Sequence, residues 1–123
     1  MKQRLLIVDD EPQIRELLGM FFEQKGFEIS RAGTARECLD RVKSNHPDLV
    51  VLDINLAEED GLQVLTQIKD LRPATKVVML TGMGFLDDLL KEALNRGADG
   101  YVSKVLPMDE LLIAIRRVLP EPA

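Results

Sequence analysis

The sequence predicts an α/β fold in which five parallel strands form one sheet with helices on both of its faces. Three observations support this fold class. Five short aliphatic runs alternate with five amphipathic helical patterns along the 123 residues. Three of the runs are almost wholly apolar, as expected for strands buried on both sides. No internal repeat or low-complexity segment interrupts the alternation, which is typical of a doubly wound (βα)5 sheet.

The predicted strands are runs of β-branched or aliphatic residues. They cover the following ranges: Arg4–Val8, Glu28–Ala32, Leu49–Leu52, Lys76–Leu80 and Gly100–Ser103. Ligands of such sheets bind at the carboxyl ends of the strands, close to the point where the strand order reverses. The residues that follow each strand are therefore the first candidates for a functional site.

The predicted helices show apolar residues at helical spacing. Their apolar faces are Ile14–Phe22, Ala35–Val42, Val64–Leu71, Leu86–Leu94 and Leu111–Leu119. Pro12 suits the first turn of the first helix and Gly26 suits its end. Thr34 is a plausible N-cap of the second helix.

Composition excludes several classes of function. The net charge of −5 argues against a surface that binds nucleic acid or an anionic membrane, and no apolar run approaches the roughly 20 residues of a membrane span. Cys38 is the only cysteine, so a disulfide framework is excluded and a reducing, cytoplasmic location is expected. We expect one domain over residues 1–119, with residues 120–123 as a tail or the start of a linker.

Polar residues follow four of the predicted strands. Asp9, Asp10 and Glu11 follow the first strand, Asp53 the third, Thr81 the fourth and Lys104 the fifth. Clustered carboxylates either shift their pKa values upward or bind a cation. Hard oxygen ligands without His or Cys favour Mg²⁺, with Mn²⁺ as a substitute. The sequence thus predicts a divalent metal beside a phosphoryl group, with a lysine and a hydroxyl as further partners.

Each of these residues also has an ordinary structural interpretation. The acidic triplet can simply complement a helix dipole, and Asp53 can be a turn carboxylate. Thr81 can cap the next helix, and Lys104 can be a solvated lysine. All four interpretations would have to hold at once, at four strand ends in the correct order, so the functional hypothesis is favoured.

The whole chain resembles the receiver domain of two-component response regulators. The resemblance is carried by the following segments and residues: Leu6–Pro12, Asp48–Asp53, Gly61, Thr81, Gly97–Lys104 and Glu110-Leu111. It implies the flavodoxin-like strand order 2-1-3-4-5. It also implies a regulatory domain that catalyses only its own phosphorylation and dephosphorylation, rather than a turnover enzyme.

The resemblance implies a role for each matching acidic residue. Asp53 accepts the phosphoryl group and contributes to the metal site. Asp10 binds Mg²⁺ directly, Asp9 mainly through water, and the backbone carbonyl of Asn55 completes the protein's share of the coordination. The side chain of Asn55 also flanks the approach of the hydrolytic water, together with Met83.

The resemblance also implies how the domain switches. Lys104 pairs with phosphoryl oxygens, Thr81 donates a hydrogen bond to another of them, and Tyr101 turns inward in response. The surface formed by the fourth helix, fifth strand and fifth helix changes. Met83, Phe85 and Leu86, at the start of the fourth helix, are candidates for that surface, although core packing explains Leu86 equally well.

The sequence departs from the family pattern at three places. Leu56-Ala57 stands where a Met-Pro pair is usual, and Gly82 stands where Ala is usual. Val105 stands where a proline, often with a cis bond, is usual. A cis bond without proline costs about 2.5–4 kcal/mol, so a trans Lys104–Val105 bond is expected.

The expected phosphoryl donor is a phosphohistidine on a sensor histidine kinase or a phosphotransfer protein. His46, the single histidine, precedes Pro47 and is interpreted as a helix-end residue rather than a donor. The expected recipients of the signal are an output domain or a downstream protein, and homodimerisation on phosphorylation is a possibility at the level of the family.

Two other functions are compatible with parts of the pattern. A constitutive interaction module without phosphoryl control would not need every site residue that is present. A Mg²⁺-dependent phosphatase usually carries a second Asp two residues after its nucleophile, where this chain has Asn55. Both are therefore less favoured than a phosphorylation-controlled switch.

Overall fold

A computed structural model of the chain describes residues 2–56, 59–82, 87–104 and 108–121. Its strands are β1 Arg4–Val8, β2 Glu28–Ala32, β3 Leu49–Asp53, β4 Asn55–Leu56, β5 Glu59–Asp60, β6 Lys76–Thr81 and β7 Gly100–Ser103. Its helices are α1 Pro12–Gln24, α2 Ala35–Asn45, α3 Gly61–Leu71, α4 Asp87–Asn95 and α5 Met108–Val118.

The main sheet has five parallel strands in the order β2-β1-β3-β6-β7. Because β6 and β7 are the fourth and fifth strands of this sheet, the predicted order 2-1-3-4-5 is confirmed. Strands β4 and β5 form a separate antiparallel hairpin directly after β3. No residue pattern in the sequence indicates this hairpin.

The core consists of two layers, one on each face of the sheet. Alternate residues of the central strands, such as Leu6 and Val50, pack on one side with residues of α2, α3 and α4. Their neighbours, such as Ile7 and Val51, pack on the other side with residues of α1 and α5. Burial on both faces explains why these strands are apolar throughout instead of alternating.

The predicted helix ends are present where the structure describes them. Pro12 occupies the first turn of α1, and Gly26 follows that helix with a φ of 97°. The Thr34 hydroxyl accepts a hydrogen bond of 3.1 Å from the N–H of Glu37 and so caps α2. His46 ends α2 in the left-handed conformation, as expected for a helix-end residue.

The buried face of some helices contains fewer residues than the apolar spacing in the sequence predicts. Three leucines at positions predicted to lie on apolar faces are exposed: Leu17 of α1 by 52%, Leu71 of α3 by 42% and Leu94 of α4 by 51%. Each lies at the edge of its stripe, where a helix resting on a sheet turns toward solvent. No helix within the described ranges is long and apolar enough to cross a bilayer.

Some expectations fall outside the described residues. These concern Ala57, Met83, Phe85, Leu86 and the Lys104–Val105 bond. The limit of the domain at residue 119 also stays a prediction. Next to that limit, the carbonyl of Pro120 accepts a hydrogen bond of 2.9 Å from the Gln3 side chain.

Candidate functional site

The carboxyl ends of β1, β3, β6 and β7 bring the predicted site residues to one edge of the sheet. Asp53 ends β3 and pairs in register with Leu80, so Thr81 lies one position beyond it on the adjacent strand. Thr81 in turn pairs with Ser103, the residue before Lys104. The backbone N–H of Lys104 donates a hydrogen bond of 2.8 Å to the Thr81 carbonyl. The strand register therefore places Lys104 beside the acidic residues.

Three carboxylates form a cluster at this edge. Asp9, Asp10 and Asp53 each offer an oxygen, and these oxygens lie within 4.8 Å of one another. Asp9 is fully buried and Asp53 is 3% exposed. Two like charges about 4 Å apart repel by roughly 4 kcal/mol at an effective dielectric of 20. The cluster therefore requires positive charge close to it.

Lys104 supplies that positive charge. Its Nζ lies 2.8 Å from Asp53 Oδ2, 2.8 Å from Asp9 Oδ2 and 3.5 Å from Glu11 Oε1. The contact with Asp53 is an aligned hydrogen bond. The contact with Asp9 is close enough for an ion pair, but Asp9 Oδ2 accepts no aligned hydrogen bond from the described residues. The Asp9 contact is therefore an electrostatic attraction, which does not depend on alignment.

The second oxygen of each buried carboxylate is held by the backbone. Asp9 Oδ1 accepts a hydrogen bond of 2.9 Å from the N–H of Glu11. Asp53 Oδ1 accepts one of 3.0 Å from the N–H of Asn55. In both cases the donor lies two residues after the aspartate, which is the Asx-turn arrangement. One oxygen of each aspartate is thereby fixed, and the other points toward Lys104.

The charges of the site shift two pKa values. Burial raises the pKa of Asp53 above its usual value, against the lowering effect of the hydrogen bonds from Lys104 and Asn55. Burial acts to lower the pKa of Lys104, but the hydrogen bond that it donates to Asp53 and the negative charges of Asp53 and Asp9 outweigh this effect and raise that pKa. Lys104 is therefore a permanent cation at neutral pH. Ionisation of Asp53, in contrast, costs more free energy in the folded protein than in water.

The donor chemistry of the cluster suits a hard divalent cation. All three candidate ligands are carboxylates, and such oxygens favour Mg²⁺ or Mn²⁺ over zinc or copper. Asp9 Oδ2, buried and without an aligned donor, is a fitting ligand atom. The residues present can therefore hold a metal ion.

Glycine at position 61 is required by the close approach of α3 to β3. A Cβ on Gly61 would lie 2.5 Å from the Asp53 carbonyl oxygen and 2.6 Å from the Ile54 carbonyl oxygen. The N–H of Gly61 donates a hydrogen bond of 3.0 Å to that Ile54 carbonyl. In the sequence Gly61 is recognisable only as a motif residue. Its physical role is to let α3 begin against the backbone of the candidate acceptor.

Two further predicted residues lie near the site. Thr81 is fully buried at the end of β6. Tyr101 is partly buried on β7, opposite Met79, and packs on the sheet face that carries α2, α3 and α4. Their proposed movements on activation stay predictions.

Two residues to which the sequence pattern assigns no role make hydrogen bonds in the segments that follow β1 and β3. Arg15 of α1 donates a hydrogen bond of 2.8 Å from Nη1 to the carbonyl of Asp9. Glu59 of β5 accepts one of 2.9 Å at Oε1 from the N–H of Ala35. No periodicity or spacing in the sequence indicates either contact, because both depend on how neighbouring loops meet in space.

Comparison with known proteins gives consistent matches. The family model described as "Response regulator receiver domain" matches residues 5–116. The chain is 33% identical over 120 residues to "Sporulation initiation phosphotransferase F" of Bacillus subtilis, with coverage of 98% of this chain and 96% of that protein. A CheY-like receiver domain structure from Methanospirillum hungatei is 34% identical with a TM-score of 0.90, covering 97% of this chain and 94% of that one.

Other relatives are longer than this chain. The chain is 36% identical over 116 residues to "Regulatory protein AtoC" of Escherichia coli. That match covers 94% of this chain but only 25% of the relative. A putative transcriptional regulator of Pseudomonas aeruginosa, 39% identical, is covered over 56% of its length. The chain therefore corresponds to one part of these regulators and to nearly the whole of the Bacillus protein.

Proposed function

Because the chain belongs to the receiver-domain family of two-component response regulators, whose members are phosphoacceptor domains, we propose that Asp53 accepts the phosphoryl group. One observation carries this assignment. Asp53 is the buried carboxylate of the cluster that accepts an aligned hydrogen bond from Lys104 Nζ, whereas Asp9 Oδ2, at the same distance from that nitrogen, accepts none from the described residues. Asp9 and Asp10, which offer the other carboxylate oxygens of the cluster, are then the proposed metal-holding residues.

The proposed reaction is an in-line transfer from a phosphohistidine of a partner. An oxygen of Asp53 forms a bond to phosphorus while the bond from phosphorus to the histidine nitrogen breaks, and that nitrogen keeps the electron pair. Positioning and neutralisation of charge are the protein's main contributions to such transfers. Lys104 contributes a fixed positive charge next to the attacking carboxylate.

A magnesium ion completes this proposal. Asp9, Asp10, Asp53 and the backbone carbonyl of Asn55 would hold it, and Mn²⁺ would substitute. When bound, the ion supplies positive charge to the phosphoryl oxygens. Two observations support this choice. Asp9 Oδ2 is buried and accepts no aligned hydrogen bond from the described residues, and all three side-chain donors are carboxylates.

Phosphorylation has enough energy to change the conformation of the domain. A shift of a population from 1:99 to 99:1 needs about 5.5 kcal/mol of differential stabilisation. A hydrogen bond to a charged group contributes roughly 1.5–3 kcal/mol. New bonds from Lys104 and the Thr81 hydroxyl to the phosphoryl oxygens together approach that amount. Tyr101 then moves inward, and the surface of α4, β7 and α5 changes.

The domain is regulatory rather than a turnover enzyme, and we propose that hydrolysis of its own acyl phosphate resets it. Receiver domains act with histidine kinases, so a sensor kinase or phosphotransfer protein is the proposed donor. An output domain or a separate downstream protein is the proposed recipient, with homodimerisation of the phosphorylated form as one route. The proposed domain covers residues 1–119, and residues 120–123 form a tail or linker.

Mass spectrometry after incubation with Mg²⁺ and acetyl phosphate tests the acceptor. We expect one added phosphoryl group, located at Asp53 by peptide mapping, and its loss in Asp53→Asn or in EDTA. Asp70→Asn, at an exposed position of α3, is the control and keeps the adduct. An adduct that survives Asp53→Asn contradicts the assignment. Rapid turnover of varied phosphate esters would instead indicate a phosphatase.

A further inference from the structure

Glu59 connects the segment after Asp53 to a different helix. Its Oε1 accepts a hydrogen bond of 2.9 Å from the N–H of Ala35, the first residue of α2. Glu59 belongs to β5 and pairs in register with Leu56 of β4. The side chain therefore links the β4–β5 hairpin to α2 across 24 positions of the sequence.

The hairpin that Glu59 holds is part of the candidate site. It begins with Asn55, whose N–H donates to Asp53 Oδ1. Asn55 pairs with Asp60, and Asp60 Oδ1 caps α3 by accepting a hydrogen bond of 2.9 Å from Leu62. The hairpin is thus attached to α3 through Asp60 and to α2 through Glu59. Two helices fix the position of the backbone that follows the candidate acceptor.

The start of α2 has caps of its own besides Glu59. The N–H of Glu37 donates to the Thr34 hydroxyl at 3.1 Å, and Glu37 Oε1 accepts from the N–H of Gly33 at 2.9 Å. This pair is similar to a capping box, except that Glu37 bonds to the residue before the N-cap Thr34, and it already stabilises the helix end. The bond from Ala35 to Glu59 differs from these two because it is the one that reaches the hairpin.

We propose that Glu59 is a positioning residue for the metal and phosphoryl site. By attaching β5 to α2, it holds Asn55 in the conformation in which the Asn55 carbonyl can join Asp9, Asp10 and Asp53 around a metal ion. This inference rests on the proposed function of those residues. A ligand that is already in place loses less entropy on binding, so loss of the attachment weakens metal affinity.

The test compares Glu59→Ala with Glu59→Gln and with Glu37→Ala. Calorimetry measures Mg²⁺ affinity of the unphosphorylated protein, and hydrogen exchange follows the amides of Asn55 and Leu56 without metal. In Glu59→Ala we expect affinity to fall about three- to tenfold, less than the roughly 10- to 100-fold loss for residues bonded directly to a metal ligand. We also expect faster exchange of both amides.

The two other variants distinguish loss of the attachment from loss of the Glu59 charge and from weakening of the start of α2. Glu59→Gln keeps an acceptor oxygen and should restore most of the affinity. Glu37→Ala weakens the start of α2 without touching the hairpin, so it should lower stability but leave Mg²⁺ affinity unchanged. Urea unfolding of every variant shows that the comparison is made on folded protein.

Several results would overturn the inference. Equal affinity in Glu59→Ala and the unchanged protein refutes it, as does loss of affinity in Glu37→Ala of the same size. Equal losses in Glu59→Ala and Glu59→Gln would indicate charge attraction in place of attachment. If the unchanged protein binds no Mg²⁺ and gains no phosphoryl group at Asp53, it is the proposed function that fails.

Discussion

Lys104 Nζ lies 2.8 Å from Asp53 Oδ2, although the two residues are 51 positions apart in the sequence. The same nitrogen lies 2.8 Å from Asp9 Oδ2, so one cation serves two buried carboxylates. The cluster is therefore net negative, and removing a positive or a negative charge from it should have opposite effects on stability.

Lys104→Ala should destabilise the metal-free protein. The change leaves Asp9 and Asp53 buried without their cation, a loss of roughly 3–5 kcal/mol for a buried pair. Saturating Mg²⁺ should restore part of the lost stability, because the ion provides positive charge at the same carboxylates. Urea unfolding with and without Mg²⁺ measures both quantities. Lys76→Ala, whose partner Asp99 is 4.0 Å away, is the control and should change stability little.

Asp53→Asn should stabilise the metal-free protein at neutral pH. The pKa of Asp53 is raised on folding, chiefly by burial, so its protonated form favours the folded state. The stability that protonated Asp53 contributes is fully present below the usual pKa of the carboxyl group, and it is lost as the pH rises through the raised pKa of the folded state. The stabilising effect of the substitution should therefore vanish in acid and grow toward neutral pH.

Urea unfolding over a series of pH values checks this dependence, with Asp70→Asn as the matched control. Stabilisation that is the same at every pH would point to packing rather than to the charge of Asp53. Added Mg²⁺ should stabilise the unchanged protein more than Asp53→Asn, because the substitution removes one proposed ligand.

Gly61→Ala should damage both stability and phosphorylation. Its new Cβ would lie 2.5 Å from the backbone oxygen of Asp53, and backbone cannot move aside as a flexible side chain can. We expect a loss of about 1–3 kcal/mol, the range for overpacked sites, and slower phosphorylation by acetyl phosphate. In Gly82→Ala the nearest atom to the new Cβ, among the described residues beyond its chain neighbours, is Lys104 Cδ at 3.9 Å. That control should fold with nearly unchanged stability.

Thr81→Ala should separate phosphorylation from switching. The buried Thr81 hydroxyl is proposed to bind the phosphoryl group only after transfer, so Asp53 should still be modified while the conformational response weakens. Tyr101 is the only tyrosine and the chain has no tryptophan, so its fluorescence reports this response directly. Thr81→Ser retains the hydroxyl and should restore the signal. A full response in Thr81→Ala would exclude Thr81 from the switch.

Cys38 should be unreactive in the folded protein. Burial, and secondarily the negative charge of Glu59, raise the pKa of its thiol to about 12. Because the thiolate is the reactive form, a thiol reagent at pH 8 should label Cys38 slowly, at a rate set by opening of the structure. Urea-unfolded protein should react at once and serves as the control. Fast labelling of the folded protein would show that α2 opens readily.

The sequence predicted the parts of the fold that depend on local pattern. The five aliphatic runs correspond to the strands of the main sheet and the five amphipathic patterns to its helices. These elements are predictable because burial on one or both faces determines the spacing of apolar residues. The strand ends were identified for the same reason. Asp53 and Thr81 extended their strands by one residue each, since a polar residue can still pair with its neighbour.

What the sequence did not predict depends on contacts between distant segments. The β4–β5 hairpin is too short to leave a periodic pattern. The contacts of Arg15 with Asp9 and of Glu59 with Ala35 join charged side chains to backbone atoms, and any surface residue has that capacity. The exposure of Leu17 and Leu94 reflects how helices sit on the sheet, which residue spacing alone does not determine.

The hydrogen bonds donated by the backbone N–H groups of Glu11 and Asn55 affect both the rate of phosphoryl transfer at the site and its affinity for an ion. Each fixes the side-chain rotamer of the aspartate two residues before it. The rotational freedom of both carboxylates is therefore lost when the chain folds, before any ion or phosphoryl donor arrives. Binding and transfer need not restrict these side chains a second time, and the entropic cost of orienting the reacting groups falls on the stability of the domain instead.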